Sequence, residues 1–370
     1  MNIREFALER FFAEHEFAAR HVLAASDVEG MAMSDVLALA DAETSRLWSG
    51  LRLGYTESTG LPLLRAEIAT LYDGLGADDI LTFAGAEEAI FLAMHATLAP
   101  GDHVATVWPA YQSLHEVARS IGADVTPIPL DPCDWSLDIG RVADALRPNT
   151  RMVVINFPHN PTGAHIDRSQ LDGIVDLCRQ RGILLFSDEV YRLLEHDPAD
   201  LLPPAATVYE NGVSLGVMSK SFALAGLRIG WIATRDGGLR ARIAALKDYT
   251  TICSSAPSEI LALIALRGKA RVLARSREIV AQNLPILREF MSRHAEHLTW
   301  APPRAGSVCF PRFIGDVDAE QAATSLIEQT GVVILPGGRF EYDRAHFRVG
   351  FGRLDTAKGL DLLGEWLGTR

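Results

Sequence analysis

The sequence predicts an α/β fold with a mostly parallel sheet, and three observations support this prediction. Between residues 80 and 186, short apolar segments alternate with amphipathic segments of helical spacing. The short segments are apolar throughout, which is typical of parallel strands covered by helices on both faces. The chain has 370 residues, enough for one large domain and a second, smaller one.

The predicted elements of the first two thirds follow in chain order. Residues 3 to about 24 have the apolar spacing of a helix, and shorter helices are predicted at 33–39, 43–48 and 63–71. Strands are predicted at 80–83, 104–107, 125–130, 152–157, 183–186, 213–218 and 227–233. Helices are predicted at 85–98, 112–121, 139–146 and 171–181.

The last third of the chain has a different pattern. A helix at 239–249 and a loop at 250–258 precede a long helical region that ends near residue 294. Strands are then predicted at 308–313, 332–335 and 347–351, with helices at 319–329 and 356–367. We therefore expect a large domain over residues 45–255 and a small α+β domain formed by residues 1–44 and 256–370.

Composition and charge limit the classes of function. The formal net charge is −12, from 35 basic and 47 acidic residues, which disfavours nucleic-acid binding. No apolar run approaches the ~18 residues of a membrane span, and the N-terminus lacks a signal-peptide pattern. The four cysteines are far apart in sequence and suit buried thiols better than disulfides or a metal site. We expect a cytoplasmic protein that acts on small molecules.

Lys220 lies between two of the predicted buried strands. A buried lysine is unfavourable unless it is paired or used chemically, and a lysine held out of bulk water suits covalent chemistry with an aldehyde. Arg228, eight residues later, has a fixed charge and can bind a phosphate through two hydrogen bonds. The alternative is a surface loop in which both side chains are simply solvated.

Two other predicted strands are followed by polar side chains. Residues 156–163 contain two X-Pro steps that favour a rigid turn around Asn160, and residues 187–191 place Asp188 three positions before Tyr191. A carboxylate can keep a ring nitrogen protonated and a phenol can bond a ring oxygen, as an electron-sink pyridine cofactor requires. The alternatives are an ordinary turn at Asn160 and a helix N-cap at Asp188.

A strand-to-helix junction is predicted at Gly85, Ala86 and Glu87. The backbone amides at the start of such a helix can bind an anion such as phosphate. An ordinary tight turn is the alternative, and the segment lacks the glycine pattern of dinucleotide-binding loops.

Taken together in this order, these segments resemble the class I and II aminotransferases, which are pyridoxal 5'-phosphate enzymes of fold type I. The matching segments are Gly85-Ala86, Pro109-Ala110-Tyr111, Asn160-Pro161-Thr162-Gly163, Asp188-Glu189-Val190-Tyr191 and Ser219-Lys220 with Arg228. The resemblance extends from about residue 50 to 352. It implies a large cofactor-binding domain with a mostly parallel sheet and a small α+β domain.

The resemblance also implies the contacts of the cofactor ring. Lys220 would bind the cofactor covalently and act as general acid and base. Asp188 would pair with the pyridine nitrogen, and Tyr191 with Asn160 would bond the phenolic oxygen. Tyr111 would stack on the ring face.

The resemblance further implies how the phosphate and the substrate are held. The phosphate would contact Gly85, Ala86, Glu87, Ser219 and Arg228. Arg348, with Asn160, resembles the site of the substrate α-carboxylate. Tyr55 resembles a tyrosine lent to the phosphate of the neighbouring subunit, so a homodimer is implied.

The expected reaction moves the amino group of an α-amino acid to a 2-oxo acid. The loop at 250–256, where relatives place a cation for acidic substrates, has no Arg or Lys, so we expect a neutral or basic side chain. Glu87 either faces a cationic substrate or faces solvent in the first helical turn. Ser307 is small where several relatives have an aromatic, which leaves room for a long substrate, and His159 also departs from the commonest pattern.

Two alternative functions remain open at this level. Residues 247–249 and 310–313 resemble the capreomycidine synthase branch, which implies elimination, replacement or cyclisation of a guanidino amino acid. The other alternative is a non-catalytic ligand-binding protein with the same fold.

Overall fold

The computed structural model describes residues 2–369 and contains a central seven-stranded sheet. The strands, in chain order, are β1 (His21–Val22), β2 (Ile80–Phe83), β3 (His103–Trp108), β4 (Asp124–Pro129), β5 (Thr150–Asn156), β6 (Leu184–Asp188), β7 (Gly212–Val217), β8 (Gly230–Ala233), β9 (Leu298–Thr299), β10 (Val308–Cys309), β11 (Arg312–Phe313), β12 (Val332–Val333), β13 (Leu335–Pro336) and β14 (Phe347–Gly350).

The helices surround this sheet and form most of the remaining structure. In chain order they are α1 (Ala7–His15), α2 (Met33–Leu37), α3 (Ala42–Ser49), α4 (Pro62–Ala69), α5 (Ala86–Thr97), α6 (Ser113–Ile121), α7 (Ile139–Ala145), α8 (Arg168–Arg181), α9 (Ala205–Val208), α10 (Gly237–Lys247), α11 (Ala256–Arg267), α12 (Lys269–Arg293), α13 (Ala319–Thr330) and α14 (Thr356–Leu367). Among residues 2–369, no helix is both long and apolar enough to cross a membrane.

The central sheet has the strand order β2-β8-β7-β6-β5-β3-β4. Strand β8 is antiparallel to both of its neighbours, and the other pairings in the sheet are parallel. Every residue of β2, β7 and β8 is buried, as continuous apolar strands require when helices cover both faces. The prediction of an α/β fold with a mostly parallel sheet is confirmed.

The parallel strands bring their carboxyl ends to one edge of the sheet. Gly85 follows β2, Tyr111 follows β3, Asn160 follows β5, and Asp188 is the last residue of β6. These ends lie close together because β5 pairs with β6 in register, with Asn156 opposite Asp188. Ligands of open α/β sheets bind at this edge.

Local signals explain where individual helices begin and end. Helix α8 begins at a capping box in which the Asp167 side chain accepts from the Gln170 amide, and it ends at Gly182 in the left-handed conformation. Helix α13 begins at the N-cap Asp318, whose side chain accepts from the Glu320 and Gln321 amides, and it likewise ends at a left-handed glycine, Gly331.

The N-terminal segment joins elements near the other end of the chain. Strand β1 pairs in parallel with β12, with His21 opposite Val332. Strand β14 lies between β10 and β13 in a small antiparallel sheet.

Two groups of buried apolar side chains fill the interior. The larger surrounds the central sheet and also includes C-terminal residues such as Phe347 and Leu363. The second packs α11 against α4 and against strands β2 and β8, at Ile80 and Trp231. The division into domains at residues 44 and 255 stays a prediction.

Several expected elements differ from the structure. The strand expected at 332–335 is divided into β12 and β13, which lie in different sheets, and the strand expected at 227–233 begins only at Gly230. Helix α1 ends at His15 rather than near residue 24, because residues 21–22 pair as a strand with β12. The long helical region is interrupted at Gly268, the residue between α11 and α12. The strand expected at 308–313 is divided into β10 and β11, and Pro311 between them has no amide hydrogen for a continuous ladder.

Candidate active site

A cleft of about 400 Å³ lies at the carboxyl edge of the central sheet. It brings together ten of the side chains singled out in the sequence, namely Ala86, Glu87, Tyr111, Asn160, Asp188, Tyr191, Ser219, Lys220, Arg228 and Arg348. These residues come from strand ends and helix starts that are far apart in the chain, so folding alone gathers them.

Lys220 lies in the turn between β7 and β8 and extends into the cleft. Its Nζ donates a hydrogen bond to Ser26 Oγ at 2.7 Å and lies 5.8 Å from the centroid of the Tyr191 ring. The amine is therefore oriented within the cleft by a neutral hydroxyl.

Asp188 is a buried carboxylate, 4% exposed, at the end of β6. Its Oδ1 accepts a hydrogen bond from the Val190 amide at 3.1 Å in a turn, so the helix N-cap alternative is wrong. Burial raises the pKa of Asp188 to about 7, against the opposing effects of that amide and of Lys220. Within residues 2–369 no ion pair within 4 Å neutralises this carboxylate, which suits a cationic ligand atom such as a protonated pyridine nitrogen.

The junction of β2 and α5 forms one end of the cleft. Gly85 has φ +90, and a Cβ added there would lie 2.5 Å from Nη2 of Arg228, so glycine allows the guanidinium to approach the backbone. Helix α5 starts at Ala86 without a side-chain cap on its first amides. With Ser219 nearby in the same cleft, these amides and the guanidinium form a cradle that fits a phosphate.

Glu87 does not extend into solvent, so that alternative is wrong. Its carboxylate lines the cleft and accepts a hydrogen bond from Ser113 Oγ at 3.1 Å. Burial raises the pKa of Glu87 to about 7, so near neutral pH a large fraction of this carboxyl group is uncharged. A protonated Glu87 can lie beside a bound phosphate without strong repulsion.

Two phenols of the cleft are held by the N-terminal segment. The hydroxyl of Tyr111 donates to Glu9 Oε1 at 2.7 Å, and its ring lies 5.1 Å from that of Phe6. The hydroxyl of Tyr191 donates to the main-chain oxygen of Ser26 at 2.7 Å.

Arg348 is 1% exposed and lies on the middle strand of the small antiparallel sheet, so it is not a strand-edge charge. Its Nη1 donates to Asn160 Oδ1 at 2.9 Å and its Nη2 donates to the Ala24 oxygen at 2.7 Å. Its Nε is buried without a partner among residues 2–369. Both contacts are neutral, so the guanidinium retains a charge that a substrate carboxylate can neutralise.

Tyr55 does not line the cleft of its own chain and is 90% exposed. Leu53 in the same loop is 85% exposed, and Tyr249 in the loop before α11 is 90% exposed. The two loops meet where Thr56 Oγ1 donates to the Ser254 oxygen at 3.2 Å. They form an exposed surface with large apolar side chains.

Two residues that depart from the commonest pattern have structural contacts. Ser307 is fully buried, donates to the Ser26 oxygen at 3.1 Å and does not line the cleft, so the prediction that it makes room for substrate is wrong. His159 bonds Thr162 and the Pro109 oxygen through its two ring nitrogens. Burial lowers the pKa of His159 to about 3, so it stays neutral.

The sequence interpretation missed the N-terminal contribution to the cleft. The residues concerned are Glu9, Phe12, Glu16, Ser26 and Asp27. They belong to no motif, and only the parallel pairing of β1 with β12 and the packing of α1 bring them to the site. The sequence of this segment indicates a helix through its apolar spacing, but it does not indicate that the helix lines the cleft.

Comparisons with known proteins agree with this geometry. The family profile "Aminotransferase class I and II" matches residues 22–361. Capreomycidine synthase from Streptomyces vinaceus is 30% identical over 367 residues, covering 98% of this chain and 93% of the relative. A PLP-dependent aminotransferase from Streptococcus suis has a TM-score of 0.93 and 30% identity, covering 100% of this chain and 99% of the other. The PLP-dependent cyclase OrfR has a TM-score of 0.91 and 28% identity, covering 100% and 98%.

The residues present fit pyridoxal 5'-phosphate (PLP), the cofactor named for the Streptococcus suis aminotransferase and for OrfR. The buried carboxylate of Asp188 suits a protonated ring nitrogen, and the cradle at Gly85 suits a phosphate. Lys220 supplies an amine between them. The chain therefore belongs to the class I and II aminotransferases, and it is a fold type I enzyme that depends on pyridoxal 5'-phosphate.

Proposed function

We propose that this enzyme transfers the amino group of an α-amino acid, with a neutral or basic side chain, to a 2-oxo acid. The observation that carries the proposal is that Lys220, Asp188 and Arg348 line one cleft. Transamination needs an amine to move protons, an anion for the cofactor ring and a cation for the substrate carboxylate. These three residues supply one group of each kind.

In this proposal the chain holds the cofactor at three places. Lys220 would bind it covalently, Asp188 would pair with the ring nitrogen, and the start of α5 with Ser219 and Arg228 would hold the phosphate. When bound, pyridoxal phosphate supplies an electron sink for the bonds of the substrate α-carbon. Asp188 supports this by holding a proton on the ring nitrogen.

Other side chains orient the ring. Asn160 accepts from Arg348 through Oδ1, which leaves its amide nitrogen as a donor for the ring oxygen. The Tyr191 hydroxyl would be the second donor if it exchanged its bond to the Ser26 oxygen for one to the ring oxygen, and Tyr111 would lie against the ring face. The bond from Tyr111 to Glu9 fixes the direction of this ring in the cleft.

Lys220 moves the proton of the reaction. Released from the cofactor when the substrate amine takes its place, its Nζ would accept the proton of the substrate α-carbon as general base and give it up again as general acid. The contact with Ser26 Oγ limits the directions in which the amine can lie. Arg348 binds the substrate carboxylate and so sets which face of the α-carbon is presented to Lys220. The pairing is strong because the guanidinium is buried.

We further propose a homodimer in which the exposed loop of Tyr55 completes the phosphate site of the neighbouring subunit. The large apolar side chains of Leu53, Tyr55 and Tyr249 support this, because a second copy would cover them. Tyr55 has no role within its own cleft.

Product analysis tests the proposed reaction. The purified holoenzyme is incubated with single amino acids and pyruvate or 2-oxoglutarate, and mass spectrometry follows the products, with Lys220→Ala as the inactive control. Matching amounts of a new amino acid and a new 2-oxo acid are expected. A cyclic or dehydrated product without a 2-oxo acid would instead indicate chemistry like that named for capreomycidine synthase. Binding without any product would indicate a ligand-binding protein.

A further inference from the structure

One wall of the cleft is formed by a single face of α1. Glu9, Phe12 and Glu16 are spaced three and four positions apart, which places them on the same side of the helix, and all three line the cleft. Asp27, later in the N-terminal segment, lines it as well. The substrate side of the cleft thus carries three carboxylates.

These carboxylates differ in their partners. Glu9 accepts from Tyr111, and Asp27 pairs with Arg353 Nη2 at 2.9 and 3.0 Å. Glu16 has no side-chain hydrogen bond and no ion pair within residues 2–369. Partial burial and the nearby charges of Asp27 and Glu9 raise the pKa of Glu16, against the opposing charges of Arg353 and Lys220. Its carboxylate is the one acceptor of the three without a protein partner.

The position of Glu16 is unfavourable for a negative charge. It caps the C-terminal end of α1, directly after His15, where the helix dipole disfavours an anion. A partly buried, unpaired carboxylate costs further free energy. Residues that break local rules without a compensating contact are often found at functional sites, where a ligand supplies the contact.

Arg348 independently indicates a ligand in the same cleft. Its buried Nε lacks a partner, and its guanidinium carbon lies 5.8 Å from the centroid of the Phe12 ring. Glu16 follows Phe12 by four residues, about 6 Å along the helix axis. Because Arg348, Phe12 and Glu16 line the same cleft, a long amino acid whose carboxylate binds Arg348 can extend its side chain along this face of α1 toward Glu16.

We propose that Glu16 binds the cationic end group of the substrate, so that the accepted amino acid carries an ammonium or guanidinium on a long side chain. This inference rests on the proposed function, because it takes Arg348 as the α-carboxylate site. Glu9 and Asp27 add negative potential around that end group and disfavour acidic side chains.

The test compares holoenzyme with Glu16→Gln and with the control Glu14→Gln, a change at a carboxylate on the same helix with 74% of its side chain exposed. Arginine, ornithine and the uncharged norleucine are each titrated without a 2-oxo acid, and the cofactor absorbance gives Kd. The kcat/KM values with pyruvate are measured separately. Glu16→Lys is a second variant, tested with glutamate as well.

We expect arginine or ornithine to bind about tenfold or more tightly than norleucine, the scale of one charge-assisted hydrogen bond. Glu16→Gln should remove this preference and leave the Kd of norleucine within about twofold of the wild-type value. Glu14→Gln should have the Kd values of the wild type. Glu16→Lys should weaken the binding of the cationic substrates and strengthen the binding of glutamate. An unchanged ratio in Glu16→Gln, or a wild-type preference for norleucine, would overturn the assignment.

The two measurements separate this inference from the proposed reaction. Cation-selective binding that depends on Glu16, without formation of a 2-oxo acid, would support the subsite and refute transamination. Transamination with a ratio that Glu16→Gln does not alter would support the reaction and refute the subsite.

Discussion

The buried carboxylate of Asp188 should make the stability of the cofactor-free protein depend on pH. Burial raises its pKa from 3.8 to about 7, and the surrounding charges are Lys220, which opposes the shift, and Glu189, which adds to it. The unfolded chain ionises Asp188 near its ordinary pKa, whereas the folded chain keeps the proton until pH 7. At Asp188 the folded state therefore binds more protons between pH 4 and 7, and the stability contributed by this carboxyl group falls as the pH rises through that window.

The magnitude follows from the size of the shift. About three pKa units at ~1.36 kcal/mol each give on the order of 4 kcal/mol lost from this carboxylate between pH 4 and 8. The contribution of Asp188 to the slope of the unfolding free energy should approach about −1.4 kcal/mol per pH unit in the middle of the window. Asp188→Asn removes the ionisation and keeps the shape. The pH slope of its unfolding free energy should therefore lack the contribution of this one proton.

Urea titrations of the cofactor-free protein between pH 4.5 and 8 measure this slope. Asp172→Asn is a matched control, because Asp172 is half exposed on α8 and its carboxylate pairs with Arg168 at the surface. Parallel slopes for the wild type and Asp188→Asn would refute the argument, since they would show that the carboxylate does not ionise in this window. In the holoenzyme a cationic ring nitrogen should stabilise the charged carboxylate, and Asp188→Asn should then weaken cofactor binding.

Three further predictions concern the site. Gly85→Ala should weaken cofactor affinity about tenfold or more, because the added Cβ would lie 2.5 Å from a guanidinium nitrogen, whereas Gly76→Ala has open space and should leave the dissociation constant unchanged. Arg348→Lys should lower kcat/KM by about 10²–10³, the scale of a broken buried ion pair, and unchanged kinetics would exclude it as the carboxylate site. Inactive Tyr55→Ala and Lys220→Ala variants should regain activity when their subunits are mixed, and mixtures that stay inactive would count against a shared site.

Much of the central sheet could be predicted because its signals are local. The strand expected at 80–83 is β2 and the helix expected at 356–367 is α14, each with the same bounds. In both cases an apolar run or helical spacing is bounded by residues that end the element. The gathering of Asp188, Asn160 and Tyr111 at one edge then follows from the common direction of the parallel strands.

The orientation of Glu87 could not be predicted from local signals. An acidic residue in the first turn of a helix is favourable both in solvent and beside a ligand, so its sequence position does not distinguish the two. The structure distinguishes them through Ser113, which is 26 positions away and donates to the Glu87 carboxylate. The spacing of residues along α5 gives no information about this contact, because Ser113 lies outside that helix.

The part of the cleft formed by α1 and the residues after it could not be predicted for the same reason. Contacts between residues that are far apart in the sequence hold it in place. Ser26 contacts Lys220 across 194 positions, and the Ala7 amide donates to Gln112 Oε1 at 2.9 Å. These contacts place α1 over a cofactor site. The other residues of that site could be predicted because they lie at the ends of strands. Proteins with the same strand ends can therefore share a cofactor while a different N-terminal segment changes the charge that meets the substrate. In this chain that charge is negative, with Glu16 at its centre, so the selectivity of the enzyme should respond to changes in α1 more than to changes at the sheet edge.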